Sequence, residues 1–183
     1  MKKALILTST GFRDQEVIYP YYRLLGAGFE VTLVADKRDE RNRVYGISGV
    51  GITCNITIKE FVNNISYYQD NYDFLVIPGG CIALEKLRLV KPIIDFVTEW
   101  NNRDKVIASI CQGSQILISA KIVIGRKING YYNIKDDIVN AGAEFIDDPA
   151  LVDNNIITSP HYDHMGIWME TSLDVYNHKA KNI

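Results

Sequence analysis

Two hydrophobic rhythms alternate along this chain. "KALILTS" near the N-terminus is an unbroken apolar run, the pattern of a strand buried on both faces. Val17, Tyr21, Leu24, Leu25 and Gly28 follow at i, i+4, i+7 spacing and predict a helix that stops at the glycines. "FEVTLVA" predicts the next strand and closes a βαβ unit. "YGISGVGITCNITI" alternates around glycines and predicts a hairpin or meander on one edge. "YDFLVIPGG" is again a buried strand, ending in a turn. Pro92 then opens a helix whose apolar face is Ile93, Ile94, Phe96, Val97 and Trp100. "KVIASI" predicts a strand and Gln112 to Lys121 a helix. A helix near 133–140, short strands in "AEFI" and "NIITS", and a terminal helix from about Gly166 complete the pattern.

Strands alternating with helices imply one mainly parallel sheet covered on both faces. No linker, internal repeat or low-complexity tract interrupts residues 1–183, so a single α/β domain is expected. Hydrophobic content of 47% and charged content of 23% are ordinary for a globular protein. The net charge of −2 offers no basic stripe for nucleic acid. The densest basic stretch, Lys37 to Arg43, also holds Asp39 and Glu40 and reads as a solvated loop. "MKKALILTSTGF" begins like a signal peptide, but its apolar run is too short and meets Thr8, Ser9 and Thr10 at once. No run is long enough to span a membrane. Cys54, Cys81 and Cys111 are odd in number and widely spaced, which fits a reducing cytoplasm.

Ligands on parallel sheets bind at the carboxyl ends of the strands. "TGFRDQE", "PGG" and "CQG" all fall there. Cys111 stands between a strand and a helix, with Ser109 two residues before it and Gly113 two after. That is the layout of a nucleophile elbow, in which small neighbours permit a sharp turn that exposes the central side chain. A thiol at a helix start also faces the positive end of the dipole, which predicts a lowered pKa. A free cysteine packed as a small hydrophobe is the alternative. "TSTGFRDQE" has one glycine and no GxGxxG, so a dinucleotide would lack its phosphate cradle.

Four blocks together carry a resemblance: "FRDQE", "YDFLVIPGG", "ASICQGSQILISA" and "GRKINGYYNIKDDIVNAGAEFIDD" with "LVDNNIITS". The chain resembles the ThiJ/PfpI superfamily, and in the last block its PfpI-type branch. The resemblance covers nearly the whole chain and implies a flavodoxin-like three-layer sandwich of the class I glutamine-amidotransferase type. It implies that Cys111 is the reactive cysteine and that Glu16 is the carboxyl against its sulfur, protonated and donating to the thiolate. It implies that a backbone N–H of the Gly79–Gly80 turn joins that of Gln112 as an oxyanion hole. Tyr131 matches a pocket tyrosine. Glu85, in "LEKLRL", matches a glutamate that a neighbouring subunit contributes, with one residue inserted. A homodimer or larger closed homo-oligomer follows. On residue type alone, PGG is a turn, Glu16 a helix-start residue, Tyr131 one of eleven tyrosines and "LEKLRL" a solvated helix face.

The chain departs from the branch at two places. Gln112 stands where histidine usually follows the cysteine, and an amide cannot act as a base near neutral pH. Classical proteolysis is therefore not expected. Chemistry that needs only a preformed thiolate survives: glyoxalase-, deglycase- or hydrolase-like reactions of small carbonyl or amide compounds. The second departure is "SPHYDHMG" after the "NIITS" strand. It places His161 on a loop topologically suited to reach Cys111. His161, Asp163 and His164 match no standard zinc spacing, and neither a metal nor a cofactor is expected. The rival expectation is a non-enzymatic stress or redox-sensing protein, chaperone-like, with an oxidisable Cys111.

Overall fold

The computed structural model describes residues 1–36 and 39–181. Lys37 and Arg38, which begin the basic stretch, lie outside the described residues. The rest of that stretch is exposed, and Asp39 Oδ1 accepts the N–H groups of Arg41 and Arg43.

From the N-terminus run β1 (Lys3–Leu7), α1 (Asp14–Gly26), β2 (Glu30–Ala35), β3 (Arg43–Tyr45), β4 (Gly51–Thr53) and β5 (Ile56–Thr57). Next come α2 (Ile58–Asn63), α3 (Ile65–Asn71), β6 (Phe74–Ile77), α4 (Cys81–Leu87), α5 (Lys91–Asn102) and β7 (Val106–Ile110). A single 3₁₀ turn, Cys111–Gly113, leads into α6 (Ser114–Ser119). The chain continues through β8 (Lys127–Ile128), α7 (Lys135–Asn140), β9 (Glu144–Phe145), β10 (Leu151–Asp153), β11 (Ile156–Ser159) and α8 (Met165–Lys181).

Seven strands form one sheet in the order β10-β11-β7-β6-β1-β2-β5. Every neighbouring pair is parallel except β10 with β11. The expected hairpin is the separate β3–β4 pair, and its continuation β5 reaches the sheet edge. "AEFI" does pair, but with β8 in a small sheet of its own.

The continuous apolar runs are explained by strand alternation. Ala4 and Ile6 of β1, Phe74 and Val76 of β6, and Val106, Ala108 and Ile110 of β7 face α1 and α8, where Val17, Leu24, Trp168 and Met169 meet them. Leu5, Leu7, Leu75, Ile77 and Ile107 face the opposite layer with Phe96, Trp100, Ile116 and Leu117. The predicted face of α1 needs one correction: Leu25 is 43% exposed, because the buried stripe of the helix runs through Val17, Pro20 and Leu24.

The chain winds from β1 toward β5 on one side and later from β6 toward β11 on the other. The strand order therefore reverses between β1 and β6, which opens a crevice beyond their carboxyl ends. Cys111 belongs to the face shared with α1, and this lets a side chain from α1 reach the end of β7.

Candidate functional site

Cys111 has φ +58, in the left-handed region that a non-glycine residue enters only when its surroundings hold it there. The surroundings do. A Cβ on Gly113 would lie 2.7 Å from Ser109 Oγ and press on the Ile77 carbonyl, so the turn closes only with glycine there. The Cys111 carbonyl accepts the Tyr131 N–H at 2.9 Å, and a Cβ on Gly130 would come within 2.8 Å of that oxygen. Ser114 Oγ donates to the Asn129 carbonyl at 2.6 Å and ties the same loop to the base of α6.

The PGG turn packs directly on the thiol. A Cβ on Gly79 would lie 2.8 Å from Cys111 Cβ, 3.1 Å from its Sγ and 2.5 Å from Glu16 Oε2. Three residues far apart in sequence thus converge on one point. The Gly79 N–H donates to Glu16 Oε2 at 2.7 Å. Gly80, at φ +109, leaves no room for a Cβ beside the Arg13 nitrogen and Phe12 Cα. The Arg13 N–H donates to the Gly79 carbonyl at 3.2 Å, which pins the start of α1 to the turn.

Glu16 is fully buried, and its Oε1 makes no hydrogen bond. Burial pushes its carboxyl up to about 7, against the opposing pull of the Gly79 N–H, the Cys111 thiol and the Arg13 charge. Cys111 is 6% exposed. Burial and then the Glu16 charge push its thiol up, and the Gln112 N–H offsets this only in part. The expectation of a lowered thiol pKa is therefore corrected: desolvation and a facing carboxylate outweigh a helix of only six residues. The Glu16 carboxyl, held at about 7, faces the sulfur.

A polar and aromatic rim surrounds this pair. Tyr131 stacks on His161 with ring centroids 5.9 Å apart, and His161 lies 3.8 Å from the Tyr162 ring. The guanidinium of Arg13 sits 5.6 Å from the Tyr162 centroid. His161 follows β11, whose Ser159 pairs with Ile110, so it rises at the same sheet end as Cys111. No hydrogen bond joins the two among the described residues. Asp163 instead holds the His161 Nδ1, with its carboxylate at 3.1 Å and its N–H at 3.4 Å.

The structure thus brings Cys111, Glu16, Gly79, Gly80, Gln112, Tyr131 and His161 to one end of the sheet. Glu85 lies exposed on α4, the helix that starts directly after the PGG turn. The oxyanion expectation is narrowed, because the Gly79 N–H is taken by Glu16. Residue-type reasoning missed Arg13 and Asp163. Both lie inside quoted motifs, "FRDQE" and "SPHYDH", and spacing alone gave them no role. No group of three or more metal-ligating side chains occurs among the described residues.

Residues 2–174 match the DJ-1/PfpI family. The chain belongs to that family. Among DJ-1/PfpI relatives, Deglycase PfpI of Pyrococcus furiosus is 38% identical over 167 residues, 91% of this chain and 95% of the relative. General stress protein 18 of Bacillus subtilis is 30% identical over 94% of this chain and 96% of its own. A two-domain protein of Anabaena variabilis, with DJ-1/ThiJ/PfpI-like and ferritin-like domains, superposes with a TM-score of 0.86 at 31% identity. That match covers 97% of this chain and 48% of the two-domain protein. Schizosaccharomyces pombe DJ-1 has a TM-score of 0.83 at 20% identity, over 99% of this chain and 98% of its own, a likeness of fold.

Proposed function

We propose that this chain is a cysteine-dependent enzyme of the PfpI type that acts on small carbonyl compounds, as a deglycase or glyoxalase does. The observation that carries the reading is the convergence of Glu16 Oε2 and Cys111 Sγ on Gly79, with the Glu16 carboxyl raised to about 7. A thiolate adds to a carbonyl carbon, and the oxygen that receives the electron pair needs a proton. In this reading Cys111 supplies the sulfur and Glu16 the proton. The Gly80 and Gln112 N–H groups face the developing oxyanion. Tyr131 and His161 line the mouth. With its Nδ1 held by Asp163, His161 presents Nε2 to the later proton transfer that releases product. A thiol 6% exposed suits small substrates and not peptide chains.

Naming as a deglycase, carried by the Pyrococcus furiosus relative at 38% identity, supports the same reaction class. The test is loss of methylglyoxal, and of its early adduct with a free amine, catalysed by rigorously purified protein and by Cys111→Ala. The reading expects Cys111-dependent loss of both compounds. A redox sensor that turns nothing over leaves both rates at background.

The reading extends to assembly and place. A single domain is supported by a sheet that draws strands from Lys3 through Ser159. A homo-oligomer through α4 is supported by Glu85 lying between the exposed Ile82 and Leu89, the latter 86% exposed. The compartment is read as cytoplasmic on three cysteines that form no disulfide among the described residues; no helix among the described residues is long and apolar enough to cross a membrane.

A further inference from the structure

We infer that Arg13 is the anion-recognising group at the mouth of the Cys111 site, and that it selects carbonyl compounds bearing a carboxylate beside the reactive carbon. The inference rests on Cys111 being the reacting thiol and adds the substrate class.

Arg13 is placed by its backbone. Its N–H is bonded to the Gly79 carbonyl, in the turn that touches both the sulfur and Glu16. Its side chain is half-buried, with the guanidinium lying over Tyr162, the ring beside His161. The head is therefore oriented rather than free in solvent, since a guanidinium over an aromatic face is held by the ring quadrupole.

Its donors are nevertheless unanswered. Among the described residues the guanidinium makes no ion pair and no hydrogen bond. Acids are not scarce nearby; they are committed elsewhere. The Asp14 carboxylate accepts the N–H groups of Ser48 at 2.9 Å and Val50 at 3.0 Å. Glu16 is bonded to Gly79, and Asp163 to His161. A planar fork of five donors with no partner among the described residues, held over Tyr162 at the sheet end where Cys111 emerges, fits a carboxylate in geometry and charge. The Arg13 charge is felt by both reacting groups, lowering the pKa of Glu16 and of Cys111, so it lies within electrostatic reach of the chemistry.

The step balances with groups already present. The Cys111 thiol gives its proton to the ionised form of the Glu16 carboxyl as its sulfur attacks the aldehyde carbon, and the S–C bond forms as the C=O π bond breaks. The electron pair goes to the carbonyl oxygen, which takes the Glu16 proton. The substrate carboxylate is unchanged and remains on Arg13.

Two alkylating agents of similar size and opposite polarity of interest, anionic iodoacetate and neutral iodoacetamide, read this directly at low ionic strength. Modification is followed by mass spectrometry at Cys111, with exposed Cys81 of the same chain as the reference thiol. The iodoacetate-to-iodoacetamide rate ratio is expected to be about tenfold higher at Cys111 than at Cys81. Arg13→Gln should erase the difference, Arg13→Lys should retain part of it, and added salt should shrink it. Equal ratios at the two thiols, or a ratio unchanged in Arg13→Gln, overturns the inference and leaves the thiol reading standing. Failure of Cys111 to react with either reagent overturns the thiol reading and this inference with it.

Discussion

The elbow and its rim lie side by side at one end of the sheet, yet they are built on opposite physical terms. At the elbow, Cys111, Glu16 and Gly79 are packed so closely that a methyl added at Gly79 would strike both of the other two. The carboxyl is desolvated, and it faces the sulfur. At the rim, Arg13, Tyr131, His161 and Tyr162 are partly exposed and held by ring stacking and the contact of Asp163 with His161. Buried geometry of the first kind fixes what reaction is possible. Exposed stacking of the second kind costs little to alter, and the histidines on the β11–α8 loop belong to it, whereas Gln112, buried directly after the cysteine, is a departure at the elbow itself. The comparison separates the origin of reactivity from the origin of selectivity.

If the elbow carries reactivity, its damage should exceed any damage at the rim. Cys111→Ala should lower carbonyl turnover by at least about a thousandfold, measured as kcat/KM. Gly79→Ala should approach that loss and also destabilise the fold by roughly 1–3 kcal/mol in denaturant unfolding, because the new methyl displaces the thiol or the carboxyl.

Glu16→Gln separates the two functions of the carboxyl. Without a proton donor, turnover should fall by roughly a hundredfold. Stability should move the other way. The folded chain holds the Glu16 proton up to about 7, whereas a solvated glutamate carboxyl releases it near 4.5. Between those values the folded state binds more protons, so stability falls as pH rises through the window, by about 3 kcal/mol in all. Above neutral pH the Gln variant should therefore be the more stable protein, and unfolding midpoints from pH 4 to 8 check this.

The rim should give smaller effects. His161→Ala and Asp163→Asn should each lower kcat by roughly tenfold, with unfolding midpoints close to the parent. An equal loss from the rim and from Cys111→Ala would break the comparison. Smallest within a protomer is the effect of Glu85→Ala with Arg88→Ala, expected to lower the oligomer mass in sedimentation equilibrium without altering thiol labelling by iodoacetamide.

Much of this architecture was legible because long apolar runs have few alternatives. β1, β6 and β7 read as buried strands, and the i, i+4 face of α5 was plain. The elbow was legible from Ser109, Cys111 and Gly113, and Glu16 from the block that resembles the family. What escaped the sequence was whatever depends on tertiary context. The short β8 and β10 and the helices α2 and α3 are too brief for a period to register. The direction of the Cys111 shift depended on burial and on a carboxylate ninety-five residues away in sequence, terms that no local spacing contains. Arg13 reads as an ordinary surface cation until its neighbouring acids are seen to be bonded elsewhere.

The central claim is that Cys111 and Glu16 titrate as one buried pair. Its most direct measurement is the rate of Cys111 alkylation by iodoacetamide against pH, followed by mass spectrometry in the parent protein and in Glu16→Gln. Alkylation needs a thiolate but no proton donor, and the Glu16 charge raises the thiol pKa. The variant should therefore titrate at lower pH and label roughly tenfold faster at pH 8, although its carbonyl turnover is slower. Superimposable profiles for the two proteins would contradict the account.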